Sequence, residues 1–345
     1  MNHVITKELE ESSATISRID DRQIMAIANA LVGTLKDGNQ IFFFGNGGSA
    51  ADAQHLAAEL TGKYAMERPP MRAAAFTNLS SITAIGNDYS YEDVFVRNVE
   101  GLVRKGDAVV GISTSGGSKN VVKAIRKAKE IGATTISFTG NKGTLKDEAD
   151  LALVIPSDRT PRVQEGYMVA GHIICGLVEK AMFAKKAVFV DRDDTIVKDV
   201  PYCSRPEDLV LFPGVGKAIK GLNDAGYLVI LVTNQSGVAR RYFTEEMLGL
   251  IHKKLMDEVG KEGGRFDSLY YCPHHPNEGC GCRKPAPGLV ERAMRDFDID
   301  LTGSYIIGDS DHDMELGRLF GIKGFQVSGP DGFTKAVDEI LRLGK

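Results

Sequence analysis

The chain contains no tryptophan, only five cysteines and seven histidines in 345 residues, and no long uninterrupted apolar run. A helix that crosses a bilayer needs about 20 consecutive apolar residues, so the sequence predicts no membrane-spanning helix. Its first residues lack the basic-then-apolar pattern of an export signal. Cysteine is too scarce for a disulfide-stapled secreted scaffold. We therefore expect a cytoplasmic protein with no membrane partner.

Neither the charge nor the motifs indicate a protein that binds nucleic acid or ATP. The chain has 42 basic and 46 acidic residues, a net charge of −4, and no excess of positive charge to hold a phosphodiester backbone. It has no Gly-x-x-x-x-Gly-Lys-Ser/Thr loop, which cradles nucleotide phosphates in P-loop enzymes. A length of 345 residues exceeds what one hydrophobic core normally covers, so we expect two domains.

The scarce residues are concentrated in one segment. Three of the five cysteines and two of the seven histidines lie between Cys272 and Cys282. A structural zinc ion takes about four sulfur or imidazole ligands in a tetrahedron, and one loop can supply all of them. The sequence therefore predicts a zinc loop with Cys272, His274, Cys280 and Cys282 as ligands, in preference to disulfides.

Strand-like and helix-like segments alternate along the whole chain. This alternation predicts α/β domains in which a parallel sheet has helices on both faces. The pattern restarts after a long helical stretch, and we expect domains of residues 1–185 and 186–345. The expected strands are residues 40–44, 108–112, 134–138, 151–155, 187–190, 228–232, 268–271, 305–307 and 324–327. The expected helices include residues 20–35, 49–64, 119–131 and 162–183.

Two segments rich in glycine and serine each follow a predicted strand and precede a helix. They are residues 44–49, Phe-Gly-Asn-Gly-Gly-Ser, and residues 113–118, Ser-Thr-Ser-Gly-Gly-Ser. Glycines let backbone N–H groups approach an anion, and a helix N-terminus favours negative charge. Because open α/β sheets bind ligands at the carboxyl ends of their strands, the two loops predict a phosphate-binding site.

Two pairs of polar residues lie on predicted helices of the same domain. His55 and Glu59 are four residues apart and share one helical face. Gln164 and His172 are eight residues apart on the last helix and face roughly the same way. The alternative for His55 and Glu59 is an ordinary solvated pair. Together the four side chains can hold a zinc ion and transfer protons.

The first domain resembles the sedoheptulose-7-phosphate isomerases, which have the sugar isomerase (SIS) fold. The resemblance covers about residues 1–183 and lies in residues 45–49, 54–62, 86–88, 113–116 and 162–165. It implies an SIS-type parallel sheet, zinc on His55, Glu59, Gln164 and His172, and an acid/base pair of Glu59 and His172. The implied substrate site is Asn46, Gly47, Gly48, Glu59, Asn87, Asp88, Ser113, Thr114, Ser115, Ser118 and Gln164. A regulatory SIS module that only senses a sugar phosphate is the alternative.

In the second domain, charged and polar residues follow successive predicted strands. Asp191 and Asp193 follow the first strand, residues 233–236 (Thr-Asn-Gln-Ser) the next, and Asp309 a later one, while Lys284 comes just after the zinc loop. Two carboxylates can divide the hydrolysis of a phosphate ester: Asp191 attacks phosphorus, and Asp193 protonates the leaving oxygen and later activates water. The phosphoryl group also needs polar donors, a lysine and a Mg²⁺ ion held by carboxylates.

The order of these motifs identifies the second domain as a member of the haloacid dehalogenase (HAD) superfamily. Residues 186–345 are similar to D-glycero-D-manno-heptose 1,7-bisphosphate phosphatases, and histidinol-phosphate phosphatases, which share the zinc loop, are the rival. The resemblance implies a HAD-type Rossmann-like sheet and Mg²⁺ on Asp191, Asp193 and Asp309. The implied contacts to sugar or phosphate are Asp199, Val200, Pro201, Tyr202, Thr233, Asn234, Gln235, Ser236, Arg283 and Lys284. Asp194 replaces the usual glycine and Ser310 a common lysine, and we expect both to affect rate more than reaction type.

Together the two resemblances imply a bifunctional enzyme of nucleotide-activated heptose biosynthesis, since both reactions then serve one pathway. The first domain would convert sedoheptulose 7-phosphate to D-glycero-D-manno-heptose 7-phosphate, and the second would remove the C7 phosphate of the 1,7-bisphosphate. The alternative is a sugar-phosphate-sensing SIS domain fused to a histidinol-phosphate-type or broad sugar phosphatase. We also expect a homo-oligomer, a tetramer through the first domain, and association with a heptose-7-phosphate kinase.

Overall fold

The structure, a computed structural model, describes residues 2–343 and divides into two compact units, one ending at Phe183 and the other beginning at Ala184. The strands of the first unit are β1 (Ile41–Gly45), β2 (Ala73–Ala75), β3 (Ala108–Ser113), β4 (Thr134–Thr139) and β5 (Leu151–Val154). Its α-helices are α1 (Asn2–Ile16), α2 (Asp21–Lys36), α3 (Gly48–Thr61), α4 (Leu79–Asp88), α5 (Val94–Leu102), α6 (Lys119–Ile131), α7 (Leu145–Glu148) and α8 (Thr160–Phe183).

The sheet of the first unit is parallel and five-stranded, with the order β2-β1-β3-β4-β5. Its central strands are buried on both faces because successive side chains point to opposite sides. Val110 and Ile112 of β3 pack with α2, α3 and α8 residues, while Val109 packs with α5 and α6 residues. The apolar runs of the sequence therefore fill two cores, one on each face of the sheet.

The second unit repeats this layered plan. Its strands are β6 (Ala187–Val190), β7 (Leu228–Asn234), β8 (Ser268–Cys272), β9 (Tyr305–Gly308) and β10 (Lys323–Gln326). Its α-helices are α9 (Val215–Asp224), α10 (Glu245–Lys261), α11 (Gly288–Asp296), α12 (Asp311–Leu319) and α13 (Gly332–Leu343). The sheet is parallel, with the order β10-β9-β6-β7-β8. The predicted fold class, two α/β domains with parallel sheets, is confirmed.

Strand order locates the ligand-binding edge of each sheet. In the first sheet the chain adds β2 on one side of β1 and β3 on the other, and in the second it adds β7 on one side of β6 and β9 on the other. The loops that leave such neighbouring strands diverge to opposite faces and open a crevice at the carboxyl ends, where α/β sheets bind ligands. Candidate sites are therefore expected after β1 and β3, and after β6 and β9.

Among the described residues, no helix combines the length and the apolar character that a membrane span requires.

Candidate active sites

The two glycine-rich loops of the first unit lie side by side at the carboxyl edge of its sheet. β1 and β3 are paired, with Gly45 opposite Ile112, and their loops lead into α3 and α6. Gly47 and Gly116 have φ values of 56° and 62°, a left-handed conformation that residues with a Cβ rarely adopt. The Oγ atoms of Ser113 and Ser118 are 2.9 Å apart. Backbone N–H groups at two helix N-termini and serine hydroxyls together suit a phosphate group.

A polar cluster fixes the side chain of Asn46 in the first loop. Its Oδ1 accepts hydrogen bonds from Asn120 Nδ2 at 2.9 Å and from the Tyr91 hydroxyl at 3.0 Å. Its Nδ2 donates to Asn120 Oδ1 at 2.8 Å. A cavity of about 360 Å³ opens beside them, lined by Asn46, Tyr91, Glu92, Ser118, Lys119 and Asn120.

Three predicted zinc ligands come together where α3 meets α8. The Nε2 atoms of His55 and His172 are 2.8 Å apart, and His55 Nε2 lies 3.2 Å from Glu59 Oε1. One ligand atom from each of the three residues lies within 4.8 Å of the others. Two imidazole nitrogens and a carboxylate are a donor set that zinc takes in catalytic sites. The residues therefore fit a metal ion that keeps a position free for substrate.

Gln164, the fourth predicted ligand, is held by a carboxylate that the sequence analysis did not single out. Its Nε2 donates to Asp52 Oδ2 at 2.6 Å, and the Tyr167 hydroxyl donates to the same oxygen at 2.9 Å. Burial raises the pKa of Tyr167, so its hydroxyl keeps its proton. A Cβ on Gly48 would lie 2.7 Å from Gln164 Nε2, so any other residue there would displace the Gln164 amide. The loop glycine and Asp52 thus fix the Gln164 amide.

A buried ion pair between Arg68 and Glu179 lies next to the candidate metal ligands on α3 and α8. Glu179 accepts backbone N–H bonds from residues 64, 65 and 66 and lies 2.8 Å from Arg68 Nε. Burial alone would raise the pKa of Glu179, but these donors lower it. Arg68 also donates to the backbone carbonyl of Glu59 at 2.9 Å, and the Tyr64 ring stacks on His172 with centroids 6.0 Å apart. The loop after α3 is thereby pinned to α8 beside the candidate metal ligands.

The remaining predicted residues of the first site have fewer constraints. Asn87 and Asp88 are exposed at the end of α4, where the Asn87 amide donates to Asp88 at 2.8 Å. Ser115 is exposed and its Oγ accepts the Gly117 N–H, while Thr114 is half-buried.

In the second unit, a buried lysine joins two carboxylates. Lys284 Nζ lies 2.6 Å from Asp191 Oδ1 and 2.6 Å from Asp313 Oδ1. Burial alone would lower the pKa of Lys284, but the two carboxylates raise it, so the side chain is an ammonium. Asn234 holds the lysine in place, because its side chain accepts the Lys284 N–H at 3.0 Å and donates to its carbonyl at 3.2 Å. Asp191 follows β6, and Asp309 follows β9, on either side of the crevice that the strand order predicts.

These groups border a pocket with an excess of negative charge. The pocket measures about 250 Å³ and is lined by Asp191, Asp193, Asp194, Asp199, Thr233, Asn234, Lys284, Asp309 and Ser310. Carboxylate oxygens of Asp191, Asp309 and Asp313 lie within 4.8 Å of one another. Burial raises the pKa of Asp191 and of Asp309. When all three carboxyl groups are ionised, they exceed the one ammonium by two negative charges, which a divalent cation with oxygen ligands would neutralise.

The Asp193 carboxylate does not belong to that group of three, although the sequence analysis placed it with Asp191 and Asp309 on Mg²⁺. Its Oδ1 accepts from Arg192 Nε at 3.0 Å and from Arg192 Nη2 at 2.9 Å, and its Oδ2 accepts from Gln235 Nε2 at 2.8 Å. The structure puts the carboxylate of Asp313 in the group instead. Gln235, expected to contact substrate, is buried beneath Asp193.

The structure shows how the chain accommodates Asp194 and Ser310, the two residues that depart from the family pattern. Asp194 has φ 51°, a conformation in which glycine carries no strain and aspartate is tolerated, and its side chain is exposed at the pocket. Ser310 caps α12 and donates from Oγ to Asp313 Oδ2 at 2.5 Å. Ser310 therefore holds Asp313.

The other predicted sugar contacts lie in loops that leave β6, β7 and the zinc loop. Tyr202 is exposed and stacks on Tyr242, with ring centroids 4.5 Å apart, and Arg240 lies 5.7 Å from the Tyr202 ring. Asp199 borders the pocket. Val200, Ser236 and Arg283 are half-buried, and Pro201 is exposed.

The four predicted ligands of the zinc loop converge. Cys272 Sγ lies 3.6 Å from His274 Nδ1 and 3.6 Å from Cys280 Sγ, and Cys282 Sγ lies 3.2 Å from His274 Nδ1 and 3.7 Å from Cys280 Sγ. A tetrahedron with metal–sulfur bonds of about 2.3 Å has edges of roughly 3.8 Å. The cluster therefore has the size of a four-ligand zinc site, and all five cysteines are free of disulfides.

We expect the Cys280→Ser substitution to weaken the second unit rather than change its chemistry. Loss of one ligand from a closed site should release about one zinc ion per chain and lower the melting temperature of this unit by roughly 10 °C or more. Metal analysis and calorimetry measure both effects. The matched control is Cys203→Ser, which alters a buried thiol of the same unit outside the cluster and should keep the zinc. Equal zinc in both variants and the parent protein would contradict a metal role for Cys280.

Two family models match the two units. A SIS-domain model matches residues 6–140, and a HAD-hydrolase-like model matches residues 281–339. Fold, sites and models thus define a SIS domain followed by a HAD-like domain, as the sequence analysis predicted.

Comparison with known proteins identifies a specific family for the SIS domain. Over 178 residues the chain is 47% identical to the phosphoheptose isomerase of Aquifex aeolicus, covering 51% of this chain and 93% of that one. It is 50% identical over 176 residues to a probable phosphoheptose isomerase of Thermoplasma acidophilum, covering 50% and 97%. A solved structure of D,D-heptose 1,7-bisphosphate phosphatase from B. bronchiseptica, complexed with magnesium and phosphate, aligns with 46% of this chain and 99% of its own at 32% identity, with a TM-score of 0.43. The chain belongs to the phosphoheptose isomerase family.

Several residues of these sites were not predicted from the sequence. Asp52 is three residues before His55 on the same helical face, a spacing that could have indicated it. Asp313 could have been found as the third residue of α12 after its serine cap. Tyr64 and Tyr91 reach their sites through tertiary packing, and no local sequence pattern indicates them.

Proposed function

We propose that the chain is a bifunctional enzyme of heptose biosynthesis. Its first unit isomerises sedoheptulose 7-phosphate to D-glycero-D-manno-heptose 7-phosphate, and its second unit hydrolyses the C7 phosphate of D-glycero-D-manno-heptose 1,7-bisphosphate. The observation that carries the proposal is the convergence of His55, Glu59 and His172 in a unit that also has two phosphate-type loops and is similar to phosphoheptose isomerases. A module that only senses a sugar phosphate has no need of such a proton-transferring cluster.

The isomerase reaction moves hydrogen between C1 and C2 of the sugar. In our proposal Glu59 takes a proton from C1 of the ketose and returns one to C2, and His172 carries a proton from the C1 oxygen to the C2 oxygen. The glycine-rich loops, with Asn46, Ser113, Thr114, Ser115 and Ser118, hold the C7 phosphate and orient the chain. A zinc ion held by His55, Glu59, Gln164 and His172 would stabilise the negative charge that develops on the sugar oxygens.

The phosphatase reaction uses the pocket of the second unit in two steps. Asp191 attacks phosphorus and forms an aspartyl phosphate, while Asp193 gives its proton to the departing sugar oxygen. Water then attacks phosphorus, Asp193 takes its proton, and Asp191 is released with inorganic phosphate. Lys284, Thr233 and Asn234 hold the phosphoryl oxygens. A Mg²⁺ ion at Asp191 and Asp309 would neutralise charge on the phosphoryl group.

The two reactions do not follow each other directly. The aldose 7-phosphate from the first unit lacks the C1 phosphate carried by the substrate of the second, so a kinase must act between them. The sequence has no nucleotide-binding P-loop. The fusion therefore keeps two enzymes of one route in equal amounts without passing a product from site to site.

We expect the purified chain with sedoheptulose 7-phosphate to stop at heptose 7-phosphate and to release little inorganic phosphate. Addition of a heptose-7-phosphate kinase with ATP should then yield heptose 1-phosphate and phosphate, measured by chromatography and a phosphate assay. Histidinol phosphate serves as the rival substrate and should be hydrolysed poorly. Rapid phosphate release without the kinase would instead indicate a broad sugar phosphatase, and absence of the aldose product would contradict the isomerase assignment.

The assembly predictions remain predictions. A tetramer built through the first unit and an association with the kinase are both measurable by light scattering of the chain alone and in mixture. The domain assignment, in which residues 1–185 carry the isomerase and 186–345 the phosphatase, also remains a prediction.

A further inference from the structure

The proposed acid/base residue of the phosphatase has little rotational freedom. Both oxygens of Asp193 are engaged: Oδ1 accepts two bonds from the Arg192 guanidinium, and Oδ2 accepts one from the Gln235 amide. Its side chain is 29% exposed, whereas that of Arg192 is 2% exposed. The carboxylate thus presents one edge to the pocket while its other contacts lie in the protein interior.

The two residues that hold Asp193 are themselves fixed. Gln235 accepts from Arg192 Nη2 through Oε1 at 2.9 Å. The Gln235 Nε2 atom also donates to Thr233 Oγ1 at 2.9 Å. Arg192 Nη1 lies 3.5 Å from Nε2 of His252 on α10. A guanidinium only donates, so the imidazole must accept and be neutral. Burial, followed by the Arg192 charge, lowers the pKa of His252 to about 3, which agrees with the neutral form.

We propose that Arg192 and Gln235 are positioning residues that fix the Asp193 carboxylate for proton transfer to the leaving sugar oxygen. The inference rests on the proposed phosphatase function and deepens it. The Arg192 bonds occupy Oδ1, and the Gln235 bond occupies one side of Oδ2. The free side of Oδ2 is therefore the position from which the proton passes to the sugar oxygen as the phosphorus–oxygen bond breaks. His252 acts one step further away by holding Arg192.

The chemistry of the leaving group separates this role from a structural one. A sugar alkoxide is a poor leaving group and needs the proton from Asp193, whereas p-nitrophenolate is a stable anion and departs without it. Misplacement of Asp193 must therefore slow the first step for an alkyl phosphate and spare it for p-nitrophenyl phosphate. A general loss of structure slows both.

The test uses Gln235→Leu in the full chain with Mg²⁺ and measures the first turnover by rapid quench. Release of the alcohol from the heptose bisphosphate, or from any alkyl phosphate that the parent protein hydrolyses, should fall about 100-fold, the scale of general acid catalysis. The first-turnover release of p-nitrophenol should stay within a small factor of the parent rate. Asp193→Asn, which removes the acid itself, shows the largest difference expected between the two substrates.

Gln235→Glu is the second variant: it keeps the size of the side chain but replaces the amide that donates to Asp193 and Thr233 with a carboxyl group, so it also changes the charge beside Asp193. Val229→Ala in β7 is the matched control: it weakens the core beside this strand and should leave the ratio of the two rates unchanged. Equal falls for both substrates in both Gln235 variants would overturn the proposal. A parent protein that accepts other alkyl phosphates but no heptose bisphosphate would refute the proposed substrate and still test the positioning role.

Discussion

Asp191→Asn should reduce phosphatase turnover by roughly three or more orders of magnitude, because the amide cannot form the aspartyl phosphate. The structure gives the reason for expecting so large an effect at this residue. Lys284 and the two neighbouring carboxylates all converge on Asp191 at the carboxyl end of a buried strand. Steady-state phosphate release from the bisphosphate measures the loss. The same sample should isomerise sedoheptulose 7-phosphate at the parent rate, which makes the first unit an internal control.

The matched variant for this experiment is Asp224→Asn. It makes the same chemical change in the same unit, at an exposed residue whose partner is Lys220. Its phosphatase turnover should remain near that of the parent protein. A labelled or fluoroberyllate adduct found on a residue other than Asp191 would refute the assignment of the nucleophile.

Sequence patterns predicted nine of the ten strands among the described residues, in two parallel sheets, because buried parallel strands read as short apolar runs. The strand at residues 187–190 and the helix at residues 119–131 have the predicted bounds. β2 was missed, since three alanines at a sheet edge have neither the length nor the side chains typical of strands. α1, α4 and α5 were also missed. Their stabilising contacts are tertiary, and propensity alone is a weak guide to them.

The site predictions were also most accurate where local geometry alone determines which residues meet. Ligands that share one helix or one loop, such as His55 with Glu59 or the four zinc-loop residues, come together because local geometry alone fixes their spacing. The roles of Asp193 and Gln235 could not be separated from sequence. Their difference depends on the buried Arg192 guanidinium, which claims two acceptor oxygens that a linear motif leaves open. Burial and partner choice are properties of the folded unit.

The second large effect is expected from Glu59→Gln, which should lower isomerase turnover by about 100-fold to 10,000-fold, the contribution of a general base. Glutamine has the same shape but cannot take a proton from C1. Exchange of the C1 hydrogen of sedoheptulose 7-phosphate with solvent deuterium, followed by NMR, measures this step directly. Exchange should fall together with formation of the aldose.

The fold around Glu59 should survive the substitution. The Glu59 backbone carbonyl is held by Arg68, and that arginine is fixed by the buried carboxylate of Glu179, so the end of α3 does not depend on the Glu59 side chain. Phosphatase activity, which belongs to the second unit, should be unchanged. Glu130→Gln on α6 is the matched control, an exposed glutamate paired with Lys127, and should retain full isomerase turnover. Near-normal exchange in Glu59→Gln would remove Glu59 from the acid/base pair. Because His172 is the other proposed member, the same measurement on His172→Gln would then show whether the imidazole alone moves the proton.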